Sequence, residues 1–114
     1  MAWQRYIASI NAAGTIVIIP PVPILAPKIV RYLLDTSGAN NATMDIQDTN
    51  GVSLTGGAIS LNAGVTQFNY ASEHDAVAYP VFYADTGLGI QLVIVGSNAS
   101  IKGFVDYFYD GAVT

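Results

Sequence analysis

Gly89-Ile90-Gln91-Leu92-Val93-Ile94-Val95-Gly96-Ser97-Asn98-Ala99-Ser100-Ile101-Lys102-Gly103-Phe104-Val105-Asp106-Tyr107-Phe108-Tyr109 decides the fold. Two runs of β-branched and aromatic residues flank a Gly-Ser-Asn turn, and such side chains suit a pleated, half-buried surface. In the first run Ile90, Leu92 and Ile94 alternate with Gln91, Val93 and Val95. Both sets are largely apolar, so this strand is expected at the centre of a sheet. In the second run Ile101, Val105, Tyr107 and Tyr109 share one face. Lys102, Phe104, Asp106 and Phe108 share the other, which is mixed.

The same rhythm extends back along the chain. Residues 29–35 read as a strand with Val30, Tyr32 and Leu34 on one face, followed by a turn cluster at 36–41. Residues 42–48 form the next strand, with Met44 and Ile46 inward and Thr43, Asp45 and Gln47 outward. Asn50-Gly51 is a strong hairpin signal, because both residues tolerate positive φ. Residues 52–55 return, Gly56-Gly57 breaks them, and strands follow at 58–61, 65–70 and 81–84, with a long loop at 71–79. Short strands punctuated at this spacing predict an all-β chain, an antiparallel β-sandwich, with the jelly roll as one such form. No stretch of useful length carries helical periodicity.

Residues 3–10 and 15–19 predict two further strands joined as a hairpin through Asn11-Ala12-Ala13-Gly14. Pro20-Pro21-Val22-Pro23 must be extended, and its prolines cannot donate to a ladder. The expected organisation is an extended N-terminal arm or edge hairpin with a Pro-rich connector over residues 1–27, then a β-sandwich domain over 28–114. Docking contacts are expected from Trp3, Tyr6, Ile18, Pro20, Pro21 and Pro23 on the arm. Phe104 and Phe108 are expected to contribute from the mixed face.

Composition narrows function. The chain has 114 residues, 52% apolar and 11% charged, with a net charge of −4. An ordinary soluble domain is about 25% charged. A small domain has too much surface for its volume to hide that apolar surplus alone, so neighbouring chains are expected to cover it. Four basic residues, Arg5, Lys28, Arg31 and Lys102, are too few and scattered for a nucleic-acid or anionic-membrane surface. Residues 6–27 are uncharged, but four prolines break any spanning helix there. The first residues match a secretory signal poorly.

Residues 28–109 resemble small β-sandwich proteins of tailed-phage virions. The likeness rests on Ile29-Val30-Arg31-Tyr32-Leu33-Leu34 before Ser37-Gly38-Ala39, the Asn50-Gly51 hairpin, Gly57-Ala58-Ile59-Ser60-Leu61 before Ala63-Gly64, Gly87-Leu88-Gly89-Ile90-Gln91-Leu92, and Ile101-Lys102-Gly103-Phe104-Val105-Asp106-Tyr107. The resemblance implies a capsid decoration (cement) protein. It implies a homotrimer on the capsid surface of a bacteriophage virion, made in the bacterial host cytoplasm, that bridges subunits of the major capsid protein. Such a role is mechanical and non-enzymatic, with no cofactor or metal. The competing expectation is a receptor- or glycan-binding module of a tail or fibre.

Candidate chemistry is sparse. Glu73-His74-Asp75 is the one acid–histidine cluster, but a zinc site needs three or four ligands and there is no second His or any Cys. A small hydrolase would need a catalytic partner for His74 that the sequence does not suggest. Asp45, Asp48 and Asn50 fail the calcium-loop spacing, since position 12 counted from Asp48 is Ile59. Gly56-Gly57 and Gly87-Leu88-Gly89 lack the Lys-Ser/Thr of a phosphate loop and read as turns. Trp3, Tyr79, Tyr83, Phe104 and Phe108 could stack on a sugar, on a partner or in the core. Asn41-Ala42-Thr43 and Asn98-Ala99-Ser100 match the glycosylation pattern, which carries no meaning in a bacterial or phage setting.

Overall fold

Two antiparallel sheets pack face to face in the computed structural model, which describes residues 3–61, 67–71 and 80–111. The described residues form nine strands: β1 (Gln4–Ile10), β2 (Gly14–Ile19), β3 (Leu25–Asp35), β4 (Ala42–Asp48), β5 (Ile59–Leu61), β6 (Gln67–Ala71), β7 (Phe82–Tyr83), β8 (Ile90–Val95) and β9 (Ile101–Gly111). There is no helix among the described residues. One sheet runs β1-β9-β3-β6, with β7 also on β3, and the other runs β2-β8-β4-β5. The predicted central strand is central: β8 lies between β2 and β4.

Alternation fixes the interior, because successive side chains in a strand point to opposite faces. Ile90, Leu92 and Ile94 of β8, Met44 and Ile46 of β4, and Ile101, Val105 and Tyr107 of β9 join one buried cluster between the sheets. Each fully buried aliphatic side chain of this kind contributes about 1.5–3 kcal/mol.

The N-terminal segment departs from expectation. β1 pairs with β9 and β2 pairs with β8, so the two are edge strands of different sheets and not partners in a hairpin. Ala8, Ile10, Ile18 and Ile19 belong to the same core as the rest. Residues 3–27 are therefore no detachable arm, and β3 runs through the expected boundary at 27/28. The physical reason lies in the β-branched run 15–19, which by pairing along the edge of β8 places Ile18 and Ile19 in the common core between the sheets. The Pro-rich connector carries the chain from one sheet to the other. It is tied to the body by the Tyr109 hydroxyl, which donates to the Pro20 carbonyl at 2.6 Å. Val22–Leu25 closes as a turn, with the Leu25 N–H donating to the Val22 carbonyl at 3.2 Å and Ile24 held at φ 61°.

β3 also differs in detail. Its register against β9 shifts between Ile29, opposite Tyr107, and Arg31, opposite Asp106. The extra residue, Val30, is a β-bulge. Tyr32 and Leu34 pack on the core, but Val30 does not share their face. The bulge delivers Arg31 to the outer face opposite Asp106.

Candidate functional site

Among the described residues twenty-one apolar side chains are buried, and others remain at the surface. Among the described residues the exposed large apolar side chains are Trp3, Ile7, Val17, Ile24, Val52, Tyr83 and Val95. Where they fall distinguishes the two outer faces.

On the outer face of the β1-β9-β3 sheet, register aligns side chains in rows across the strands. Ile7, Phe104 and Leu33 form one row, and Arg5, Asp106 and Arg31 the next. Ser9, Lys102 and Asp35 flank the apolar row on its other side. Ile7 is 65% exposed and Trp3, at the head of β1, is 56% exposed.

Asp106 organises this face. Its side chain is 5% exposed, while those of Arg5 and Arg31 are 46% and 49% exposed. Arg5 Nε donates to Asp106 Oδ1 at 2.6 Å and Arg5 Nη2 to Oδ2 at 2.9 Å. Arg31 Nε donates to Oδ2 at 2.6 Å. The bidentate bond from Arg5 is the main reason the carboxyl is held below its ordinary 3.8; burial opposes that shift, and Arg31 reinforces it. Asp106 in turn raises Arg5 above its ordinary value, chiefly through the same hydrogen bond. Each guanidinium also lies against a ring: Arg5 is 4.1 Å from the Phe104 centroid and Arg31 is 5.7 Å from that of Trp3. Carboxylate and ring together fix both arginines before any partner arrives. The η nitrogens of Arg31 and Nη1 of Arg5 have no hydrogen-bond partner among the described residues.

The structure separates the expected contact residues. Trp3 and Phe104 lie on this face. Tyr6 turns inward and packs against the core. Ile18 and Phe108 are buried within the chain, which removes both as contacts. Pro20, Pro21 and Pro23 are exposed in the connector, away from the sheet face. Arg5, Arg31 and Asp106 were not anticipated as a unit, because 75 and 101 residues separate the arginines from the aspartate. The available signal was the charged residue on the mixed face of 101–109.

A cleft lies apart from this face, lined in part by β7. It encloses about 440 Å³ and is lined by Asp48, Ser53, Leu54, Phe82, Tyr83 and Asp85, among others. Asp48 serves its own turn there, with Oδ1 accepting from the Asn50 and Val52 N–H groups. Gly56 and Gly87 adopt positive φ as turn residues. Glu73, His74, Asp75 and Tyr79 lie outside the described residues. Among the described residues no group of three or more His, Cys, Asp or Glu is placed to hold a metal ion. No helix there is long and apolar enough to cross a membrane.

No family model matches this chain, and neither a curated protein nor a solved structure matches it.

Proposed function

We propose that this chain is a non-catalytic structural subunit of a protein assembly, docking through the outer face of the β1-β9-β3 sheet. The virion proteins it resembles suggest the setting: a decoration subunit on a phage capsid surface, self-associating and bridging coat subunits. One observation carries the reading. A half-exposed pair of arginines is clamped by a buried aspartate and faced by Trp3 and Phe104, beside exposed Ile7. Trp and Arg dominate the energetics of protein interfaces, and side chains already fixed lose little entropy when a partner arrives.

Topology supports the same reading at the level of fold. The pairs β1–β9, β2–β8, β3–β6 and β4–β5 nest inside one another, as a long hairpin does when rolled into a jelly roll. Jelly rolls are frequent in viral capsid and lectin domains, though fold alone does not fix function. Immunogold labelling of particles that carry the chain tests the setting. Label on the shell is expected; chain present only as free protein in the host lysate contradicts it.

The cleft favours a second reading, a glycan-binding module. Its exposed Tyr83 and the carboxylate of Asp85 suit stacking on a sugar ring and accepting from its hydroxyls. Glycan-array binding that disappears in Tyr83→Ala would favour this reading over the first.

A further inference from the structure

We infer that β1 is a self-pairing edge: two copies of this chain join β1 to β1 antiparallel about a two-fold axis at Ile7. The inference rests on the docking reading of this face and names its partner at the edge as a second copy.

An open edge strand offers unpaired backbone N–H and C=O groups, and proteins usually blunt such edges with bulges, prolines, short strands or free charges. The β2-β8-β4-β5 sheet is blunted at both ends. β2 carries a register shift between Val17 and Ile19 and runs into Pro20-Pro21, and β5 is three residues long. β1 has none of these devices. All seven of its residues stay in register with β9, it contains no proline, and among the described residues it pairs with β9 alone. Its one charge, Arg5, is drawn inward over the sheet onto Asp106.

Sequence and pleat choose the register. A two-fold axis perpendicular to the sheet keeps each face on its own side, so residue i meets a residue of the same face, and one residue meets itself. Centring on Ile7 pairs all of β1: Gln4 with Ile10, Arg5 with Ser9, Tyr6 with Ala8, and Ile7 with Ile7. Like charges are never opposed, and bulky Tyr6 meets small Ala8. Centring on Arg5 would set two guanidinium groups against each other, and every other centre shortens the overlap. In this register the row Leu33-Phe104-Ile7 continues into Ile7-Phe104-Leu33 of the second copy. The docking face doubles. The contact is isologous, so it closes at two copies and does not propagate.

The chain has no cysteine, so engineered thiols report the register without background. Directly opposed residues on antiparallel strands have Cα atoms about 4.5–5.5 Å apart, within disulfide reach. Mild oxidation of Ile7→Cys is expected to give a covalent dimer on a non-reducing gel. Ser9→Cys alone is expected to stay uncrosslinked, since its two copies sit about 13 Å apart along the strands. Mixing Arg5→Cys with Ser9→Cys is expected to give the mixed dimer. No dimer from Ile7→Cys, or Ser9→Cys crosslinking as readily as Ile7→Cys, overturns the inference. Leu33→Asp separates it from the docking reading. That variant changes the face but not the edge, so it should keep the crosslink in the Ile7→Cys background and, as a single substitution in the wild-type chain, lose shell labelling. If the Ile7→Cys crosslink fails while the wild-type chain still labels the shell, the edge inference falls and the docking reading stands.

Discussion

The two outer faces of this sandwich use charge and apolar surface in opposite ways. On the β2-β8-β4-β5 sheet a polar ladder satisfies itself. Gln91 Nε2 donates to Gln47 Oε1 at 3.0 Å, Gln47 Nε2 to Asp45 Oδ2 at 2.8 Å, and the Ser53 hydroxyl to Asp45 Oδ1 at 2.6 Å. Its exposed valines stand singly, with Val17 opposite Gln91 and Val95 opposite Thr43. Scattered apolar residues of that kind are ordinary for a solvated surface. On the β1-β9-β3 sheet the apolar residues share a row, and the carboxylate fixes two half-exposed guanidinium groups whose remaining donors have no hydrogen-bond partner among the described residues. The lesson is that a polar network can either close on itself or hold charges ready for something else, and this molecule does one on each face.

The largest test of that contrast strikes the strand that carries Asp106. Gly103 has φ 147°, and any Cβ there would run into the Leu33 carbonyl. Gly103→Ala is expected to cost about 2 kcal/mol or more, read by chemical denaturation, and to disturb the docking face first. Next comes a matched pair of carboxylates. Asp106→Ala strands two half-exposed guanidinium groups and is expected to cost about 1–3 kcal/mol. Asp45→Ala loses only hydrogen bonds from neutral donors and is expected to cost about 1 kcal/mol. Equal losses in the two variants would erase the distinction between the faces.

pH sharpens the same comparison. Asp106 is held low mainly by Arg5, against burial. Burial pushes Asp45 up, but hydrogen bonds from Ser53, Gln47 and Thr55 outweigh it and leave that carboxyl lowered as well. A depressed carboxyl stabilises the fold above its unfolded value and ceases to do so as pH falls through its folded value. Stability should therefore hold above the ordinary 3.8 and fall below it. Adding salt should weaken the Asp106 contribution more than that of Asp45, because half-exposed ion pairs are screened. At the other extreme, burial raises Tyr107 and Tyr109. Their contribution is complete below the ordinary 10.0 and is lost as pH rises beyond it.

The smallest expected effects on stability are on the surface. Ile7→Lys and Val95→Lys should each leave stability within about 0.5 kcal/mol of the parent. Only Ile7→Lys should abolish self-association, as seen by light scattering. Ile24→Gly should stabilise by about 1 kcal/mol, because a β-branched residue is costly at positive φ and Gly is not.

How far the sequence could be read depended on distance along the chain. The alternation in 42–48, 90–95 and 101–109 is local, and it revealed the strands, their inward faces and the central place of β8. The turn at Asp48–Val52 was equally local. The bulge at Val30 was not, because it depends on where β9 pairs. The expected arm fails for a related reason: 3–10 and 15–19 are adjacent and strand-like, yet each pairs with a strand 71 to 103 residues away. Arg5, Arg31 and Asp106 come together only after that pairing. Trp3 and Phe104 were legible as exposed or mixed-face aromatics, whereas Ile18 and Phe108 were lost to the core.

Light-scattering mass of the wild-type chain over a concentration series reads the pairing of β1 with a second copy. The mass is expected to rise from 12.0 kDa to twice that value, and not to rise in Ile7→Lys. A mass of 12.0 kDa at every concentration, identical in the two proteins, would contradict it.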